Sequence, residues 1–147
     1  KATASAIQSG NLGDNIDNSG DLVVDALSTA VLANVAVTGK GLAVATNRSN
    51  TIGSVLEQHG LAPFFDIVVS SLDVENPKPH PESLHKILRY FATVPEESVY
   101  IGDSPVDQET AQAAGVRFIA YRNPELPGSW KAENMQELGT ILKDMNL

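Results

Sequence analysis

The chain has 147 residues, which is enough for one domain with a hydrophobic core and too short for two domains of ordinary size. With 42% hydrophobic and 19% charged residues, its composition is typical of a globular protein and excludes a disordered or fibrous chain. Eighteen acidic and ten basic side chains give a net charge of -8, which argues against a general nucleic-acid-binding surface.

The chain contains no cysteine, so disulfides, thiolate metal sites and a cysteine nucleophile are excluded, and we predict a cytoplasmic location. The longest apolar stretch, residues 30–37, is interrupted by Asn34 and falls far below the roughly 20 residues that cross a bilayer, so no membrane partner is expected. Residues 1–10 contain neither a signal-peptide core nor an initiator Met. We therefore expect the chain to begin inside a longer parent protein.

The first forty residues show little regular pattern. Residues 9–21 are rich in Gly, Asn, Asp and Ser, which favour turns, and this stretch is predicted to be a loop. Asp21 is expected to cap a helix over residues 22–37, where apolar residues recur at approximately helical spacing. We divide the chain into a poorly defined N-terminal segment, residues 1–40, and a core, residues 41–147.

From residue 42 onward, short apolar runs alternate with segments of helical pattern. Strands are predicted at residues 42–45, 67–69, 98–101 and 116–120. Helices are predicted at residues 51–59, 81–91, 105–114 and about 132–143. This alternation predicts an α/β fold, a three-layer Rossmann-like arrangement in which helices cover both faces of a parallel sheet.

Polar residues follow three of the predicted strands, and ligands bind at the carboxyl ends of strands in an open parallel sheet. Thr46 and Asn47 end the first strand, and Lys78 lies between two prolines after the second. The third strand ends in Gly-Asp-Ser-Pro-Val-Asp, which places Asp103 and Asp107 about one helical turn apart. The three segments together predict one polar site at one edge of the sheet.

In this order and spacing, the segments Ala-Thr-Asn-Arg, Pro-Lys-Pro-His-Pro and Gly-Asp-Ser-x-x-Asp resemble motifs II, III and IV of the haloacid dehalogenase superfamily. The resemblance covers residues 41–142 and is strongest to the branch of phosphoglycolate phosphatase-like enzymes. It implies that Thr46 and the backbone N–H of Asn47, at a helix start, bind phosphate. Arg48 is a further candidate for substrate contact, although a solvated loop charge is the commoner explanation of such a residue. Lys78 would neutralise the phosphate, as phosphoryl transfer requires.

The resemblance also implies Mg²⁺ as cofactor, with Asp103 as a direct ligand and Asp107 as a metal-site residue that orients Lys78 or a metal-bound water. For Asp107, a favourable charge near a helix N-terminus explains the residue almost equally well. Small phosphorylated metabolites are the implied substrate class. A cap domain is predicted to be absent or vestigial.

The first motif of this superfamily, a strand ending in Asp-x-Asp that supplies the attacking carboxylate, has no counterpart in the chain. The nearest imitation would make Asp25 the nucleophile, but Leu27 stands in the place of the second aspartate. That strand lies mid-sheet in the superfamily, between those that carry Thr46 and Asp103. We predict that residues of the first forty, or another chain through self-association, fill this position.

Two functions from different classes follow. In the first, the parent protein is a Mg²⁺-dependent phosphomonoesterase that acts through an aspartyl-phosphate, and this chain by itself is inactive for lack of a nucleophile. In the second, the chain is a non-catalytic scaffold or phosphate-binding module. A dehalogenase is a weaker third possibility, because the Gly-Asp-Ser-x-x-Asp segment favours phosphate chemistry.

Overall fold

A computed structural model describes residues 34–48, 51–58, 60, 62–128 and 130–146. In chain order its strands are β1 (Val35–Thr38), β2 (Gly41–Ala45), β3 (Ile67–Val69), β4 (Ser98–Gly102), β5 (Arg117–Tyr121) and β6 (Lys131–Ala132). Its α-helices are α1 (Ile52–Gln58), α2 (Glu82–Phe91), α3 (Pro105–Ala114) and α4 (Met135–Asp144). Short 3-10 turns at Ala62–Phe64 and Pro95–Glu97 precede β3 and β4.

The strands form one six-stranded sheet in the order β3-β2-β1-β4-β5-β6. The pairs β2 with β3, β4 with β5 and β5 with β6 are parallel, whereas β1 is antiparallel to both of its neighbours, β2 and β4. The predicted α/β fold is confirmed, with the difference that this one strand runs against the others. Strand β6 was not predicted, since two residues carry too little pattern to be recognised.

Helices cover both faces of the sheet, as predicted. On one face, α1 and α4 contribute Ile52, Leu56, Leu138 and Leu142 to a cluster with alternate strand residues. On the other face, α2 and α3 contribute residues such as Leu84 and Ala111 to a second cluster. This cluster also contains the strand alanines Ala36, Ala43 and Ala45. Because successive strand residues point to opposite faces, β4 sends Ile101 into the first cluster and Tyr100 into the second.

The prediction of a helix over residues 22–37 is wrong where the structure describes it. Residues 22–33 lie outside the described ranges, and Val35–Thr38 forms the extended strand β1. The segment Val-Ala-Val-Thr contains three β-branched residues, and all four are buried, with Val35 and Val37 in the first cluster and Ala36 in the second. Hydrogen bonding of β1 to β2 and β4 thus outweighs the approximately helical spacing of the apolar residues, which was the basis of the helix prediction.

A tight hairpin joins β1 to β2 through Gly39 and Lys40. The Thr38 hydroxyl oxygen accepts hydrogen bonds from the backbone N–H groups of Lys40 and Gly41, each at 3.0 Å. A threonine side chain that bonds the backbone two and three residues ahead favours a turn over continued helix. The hairpin therefore reverses the chain before the strand that leads to Thr46.

Strand β1 fills the sheet position that was predicted to need an occupant, between the strands that carry Thr46 and Asp103. The occupant comes from the first forty residues of the same chain, which is one of the two predicted alternatives, and self-association stays a prediction. The chain division at residue 41 stays a prediction. Because β1 is antiparallel, its N-terminal end meets the carboxyl ends of β2 and β4.

Within the described ranges, no helix combines the length and apolarity that a membrane span requires.

An aspartate introduced at Val37, whose side chain is fully buried in β1, should destabilise the protein by about 3 kcal/mol or more, because the new charge has no buried partner. The matched control is Gly39→Asp in the hairpin, where an added Cβ meets no atom within 4 Å. Urea unfolding followed by circular dichroism measures both variants. Equal stability of the two would contradict the central position of β1.

Candidate active site

The three predicted polar segments meet at one edge of the sheet. Thr46 directly follows β2, Asp103 directly follows β4, and Lys78 lies in the loop between β3 and α2. Strands β2, β3 and β4 all point the same way, so their carboxyl ends share this edge, which we call the rim. The rim is where a parallel sheet of this kind binds ligands.

Lys78 is the centre of the rim and is only 8% exposed. Its ammonium group donates to the Asp107 carboxylate at 2.5 Å, to the Tyr100 hydroxyl at 3.0 Å and to the Asn34 side-chain oxygen at 3.0 Å. A lysine ammonium has three N–H donors, and here each has an oxygen partner. The ammonium is therefore held in place from three sides.

Asn47 fixes the backbone of Lys78. Its side-chain oxygen accepts from the Lys78 N–H at 3.1 Å, and its side-chain amide donates to the Lys78 carbonyl at 3.2 Å. The expectation that the Asn47 N–H stands at a helix start is wrong, because the next helix, α1, begins only at Ile52. Asn47 instead ties the end of β2 to the lysine loop through its side chain.

Asp107 is fully engaged by the protein. Its Oδ1 accepts from Lys78, while its Oδ2 accepts from the Ser104 hydroxyl at 2.9 Å and from the Asp103 N–H at 3.3 Å. Ser104 is the N-cap of α3 and accepts in return from the Asp107 N–H. Both carboxylate oxygens thus accept hydrogen bonds from the protein and the residue is only 2% exposed, which favours the predicted orienting role toward Lys78 over direct metal ligation.

Gly102, the last residue of β4, makes this arrangement possible. A Cβ at Gly102 would stand 2.4 Å from the Asp107 Cβ and 2.8 Å from its Oδ2. Any larger residue at this position must therefore push Asp107 away from the strand. The glycine of Gly-Asp-Ser-x-x-Asp is explained by the close approach of Asp107 to the backbone, which only a residue without a side chain permits.

Tyr100 is a rim residue that sequence reasoning missed. It is fully buried, donates its hydroxyl proton to the Ala45 carbonyl at 2.6 Å and accepts from Lys78. Burial, and next the negative charge of Asp107, raise the pKa of Tyr100 well above its usual range, so the phenol stays neutral. The alternation of side chains in β4 indicates the face of the sheet on which Tyr100 lies, but it does not indicate that Lys78 donates to the Tyr100 hydroxyl.

Asn34 is the second rim residue that the sequence does not reveal, because there it is only an interruption of an apolar stretch. It immediately precedes β1, is partly buried, and its backbone carbonyl accepts from the Ala45 N–H at 3.0 Å. Its role could not be read from the sequence because the segment around it was predicted to be helical. The antiparallel direction of β1 brings it to the rim.

Thr46 and Arg48 complete the predicted phosphate-binding set. The Thr46 side chain is buried, and its hydroxyl oxygen accepts from the Arg48 N–H at 3.1 Å. Among the described residues the hydroxyl donates to no acceptor, so its proton is available to an anion. Arg48 is exposed beside it, and its carbonyl accepts from the Ser71 N–H at 3.3 Å.

Asp103 is the carboxylate that remains available at the rim. The residue is exposed, and its side chain bonds to no group in the part of the chain that the structure describes. Its carbonyl accepts from the Asn123 side-chain amide at 2.9 Å, which fixes its backbone. The described residues contain no cluster of three or more His, Asp or Glu that could by itself hold a metal. Metal binding by Asp103 and Asp107 stays a prediction.

The structure thus brings Asn47, Lys78 and Asp107 into direct contact. Thr46 and Asp103 adjoin this group through their neighbours, because Ala45 bonds Tyr100 and the Asp103 N–H bonds Asp107. The arrangement combines a buried, rigidly held cation with an available hydroxyl proton and an available carboxylate. Such a set suits an anion that binds together with a divalent cation.

The family model described as haloacid dehalogenase-like hydrolase matches residues 27–121. Among curated proteins, the pyrophosphatase PpaX of Bacillus cereus (strain AH820) is 36% identical over 112 residues, which cover 70% of this chain and 51% of the relative. The PpaX of Bacillus thuringiensis (strain Al Hakam) matches with the same identity and coverage. The chain spans about half the length of these relatives.

Solved structures agree with this match. A HAD-superfamily hydrolase of subfamily IA, variant 1, from Geobacter sulfurreducens PCA is 45% identical with a TM-score of 0.66, over 69% of this chain and 48% of that chain. A predicted phosphoglycolate phosphatase from Haemophilus somnus 129PT has a TM-score of 0.62 at 22% identity, over 67% of this chain and 48% of that chain. At this identity the second likeness shows a shared fold alone.

Replacing Asp107 by Asn should destabilise the protein by about 3–5 kcal/mol, because the Lys78 ammonium would lose its buried counter-charge. The matched control is Asp103→Asn, an exposed aspartate four residues earlier, which should change the free energy of unfolding by no more than about 0.5 kcal/mol. Urea unfolding measures both. Similar values for the two variants would contradict the buried pair.

The raised pKa of Tyr100 makes stability depend on alkaline pH. In the unfolded chain a tyrosine loses its proton near pH 10, whereas folded Tyr100 retains it. The unfolded state then binds fewer protons, so this contribution is present below about pH 10 and falls as the pH rises further. Urea unfolding between about pH 9 and 11 should show a smaller decline for Tyr100→Phe than for wild type. Exposed Tyr90→Phe is the control and should follow wild type.

Proposed function

Because the chain belongs to the haloacid dehalogenase-like hydrolases, we propose that it carries the phosphate-binding and metal-binding part of a Mg²⁺-dependent phosphomonoesterase site. The observation that carries this proposal is the Lys78 ammonium, held at the rim by Asp107 and bracketed by Asn47. A buried cation fixed at a sheet edge is arranged to meet an anion. We assign the activity to the parent protein, because this chain spans only about half the length of its curated relatives.

The anion would bind through three groups with different chemistry. Lys78 supplies the positive charge, Thr46 supplies a hydroxyl proton, and exposed Arg48 supplies a guanidinium on the solvent side. The net charge of -8 repels large polyanions, so the favoured substrate is a small phosphorylated metabolite whose charge is met locally. The pyrophosphatase relatives add inorganic pyrophosphate to the substrates worth testing.

The residues present fit a magnesium ion in part. Mg²⁺ is commonly bound by one or two carboxylates together with waters and substrate phosphate, and Asp103 is an available carboxylate at the rim. Asp103 would hold the ion, whereas Asp107 would act on the site through Lys78. When bound, the ion supplies positive charge that neutralises phosphate oxygens.

Hydrolysis needs an attacking carboxylate in addition to the two rim aspartates, because Asp103 is assigned to the metal and Asp107 is bonded to Lys78. We propose that in the parent protein the first aspartate of an Asp-x-Asp attacks phosphorus and the substrate oxygen leaves with a proton from the second aspartate. Water, deprotonated by that second aspartate, then hydrolyses the aspartyl-phosphate, which releases phosphate and restores the attacking carboxylate. The chain contains no Asp-x-Asp, and Asp25 lies outside the described residues. This chain alone is therefore proposed to be inactive.

The absence of Asp-x-Asp also favours a second candidate, a phosphate-binding module without catalysis. The fixed position of the Lys78 ammonium is compatible with it, because binding needs the cation and not the nucleophile. Cytoplasmic action on a small metabolite, without nucleic acid or membrane as partner, is proposed for both candidates. The lack of cysteine and the acidic charge balance support that assignment.

Phosphate binding can be tested without turnover. Titration calorimetry with inorganic phosphate and Mg²⁺ should show binding to the wild type, and Lys78→Met should weaken it by about tenfold or more, since a charge-assisted bond is lost. The matched control is Lys40→Met, in the hairpin at the opposite end of β2, which should bind like wild type. Circular dichroism verifies that each variant is folded. Equal binding by the two variants would contradict the proposed site.

Turnover distinguishes the two candidates. Purified chain with Mg²⁺ and an aryl phosphate or pyrophosphate should release little or no phosphate, whereas a longer parent protein with an upstream Asp-x-Asp should be active. Vigorous hydrolysis by this chain that Asp25→Asn abolishes would instead identify Asp25 as nucleophile. An inactive parent protein that still binds phosphate would favour the binding module.

A further inference from the structure

We propose that the side chain of Asn34 occupies the place of a substrate oxygen on Lys78 and that a bound phosphate must displace it. This inference rests on the proposed function, since it concerns the same anion site. All three N–H donors of the Lys78 ammonium are in use, on Asp107, Tyr100 and Asn34. A phosphate oxygen can take a direct bond from Lys78 only if one of these partners leaves.

Asp107 and Tyr100 are poor candidates for leaving. Asp107 is 2% exposed and carries the charge that balances Lys78, so separation would leave two buried charges unpaired. Tyr100 is 0% exposed and is tied to the Ala45 carbonyl by its own proton. Both side chains are buried, so neither would reach bulk solvent after displacement without a larger rearrangement.

Asn34 differs from both in charge and exposure. Its side chain is neutral, and the residue is partly exposed at the start of β1, so water can solvate the amide once it leaves Lys78. An oxygen of a phosphate carries negative charge and makes a stronger bond to an ammonium than an amide oxygen does. Exchange of Asn34 for phosphate is therefore the favourable direction.

The exchange requires only a side-chain rotation. The Asn34 carbonyl accepts from the Ala45 N–H at 3.0 Å, and Val35 next to it is paired on both sides within the sheet. The backbone of β1 therefore stays in place while the carboxamide turns away. Asn34 thereby lowers the apparent phosphate affinity by the fraction of time that it occupies Lys78.

Removal of the carboxamide should tighten phosphate binding, and a carboxylate in its place should weaken it. Asn34→Ala should bind inorganic phosphate roughly three- to tenfold more tightly than wild type, because the phosphate no longer has to displace the uncharged Asn34 amide from the Lys78 ammonium. Asn34→Asp should bind about tenfold more weakly or worse, because a fixed negative charge competes for Lys78 and repels the anion. Gly39→Asp adds the same charge in the distant hairpin and should bind like wild type.

The experiment is calorimetric titration of the whole chain with inorganic phosphate, supported by nuclear magnetic resonance of the Asn34 side-chain amide in wild type. The amide signal should shift at saturating phosphate as the group leaves Lys78. Asn34→Ser serves as a second truncation if Asn34→Ala does not fold. The amide signal needs no variant and so decides the matter in either case.

The outcomes separate this inference from the proposed function. Tighter binding by Asn34→Ala or Asn34→Ser with a shifted wild-type amide supports displacement. If wild type binds phosphate but truncation leaves the affinity unchanged or weaker, or the amide signal stays still, displacement is overturned and the phosphate site stands. If neither wild type nor the truncated variants bind phosphate, both proposals fall.

Discussion

The buried ion pair between Lys78 and Asp107 is the interaction on which the rim of this protein depends. Their side chains are 5% and 3% exposed, and a charge so far from water is tolerable only with a partner and further hydrogen bonds. Asn47 holds the lysine backbone, while Ser104 and the space at Gly102 hold the aspartate. One electrostatic requirement thus ties together the loops that follow β2, β3 and β4.

Strand β1 adds a fourth element to that rim in an unexpected way. It fills the centre of the sheet, so that β2 and β4 both find a partner, and its antiparallel direction presents its first end to the site. A parallel strand in the same position would bring its last residues to the rim. The reversed strand instead delivers Asn34, whose amide completes the set of oxygens around the Lys78 ammonium.

The polar groups of the rim divide into engaged and available ones. Lys78, Asp107 and Tyr100 bond one another and form a rigid base whose geometry no ligand has to organise. The Thr46 hydroxyl proton and the Asp103 carboxylate have no such partner among the described residues. The engaged groups set where an anion and a cation would bind, and the available groups would make the exchangeable contacts. Membership of the hydrolase family and this division together support a phosphate site.

The sequence by itself determined the α/β architecture from residue 41 onward and the segments after β2, β3 and β4 that carry Thr46, Lys78, Asp103 and Asp107. Local signals sufficed there, since apolar runs, helix-ending glycines and proline-flanked turns are properties of neighbouring residues. Gly60 and Gly115, for example, follow α1 and α3 and adopt the left-handed conformation that commonly closes a helix.

Only the tertiary structure decided the conformation of residues 35–38 and the roles of Asn34 and Tyr100. Residues 35–38 form a strand because β2 and β4 hydrogen-bond to them on both sides. This pairing cannot be recognised from the residues next to 35–38 in the sequence. Likewise, Tyr100 and Asn34 belong to the rim because each accepts a hydrogen bond from Lys78, which is 22 and 44 positions away in the chain. Hydrogen bonds between residues so distant in sequence exist only after the sheet has brought them together.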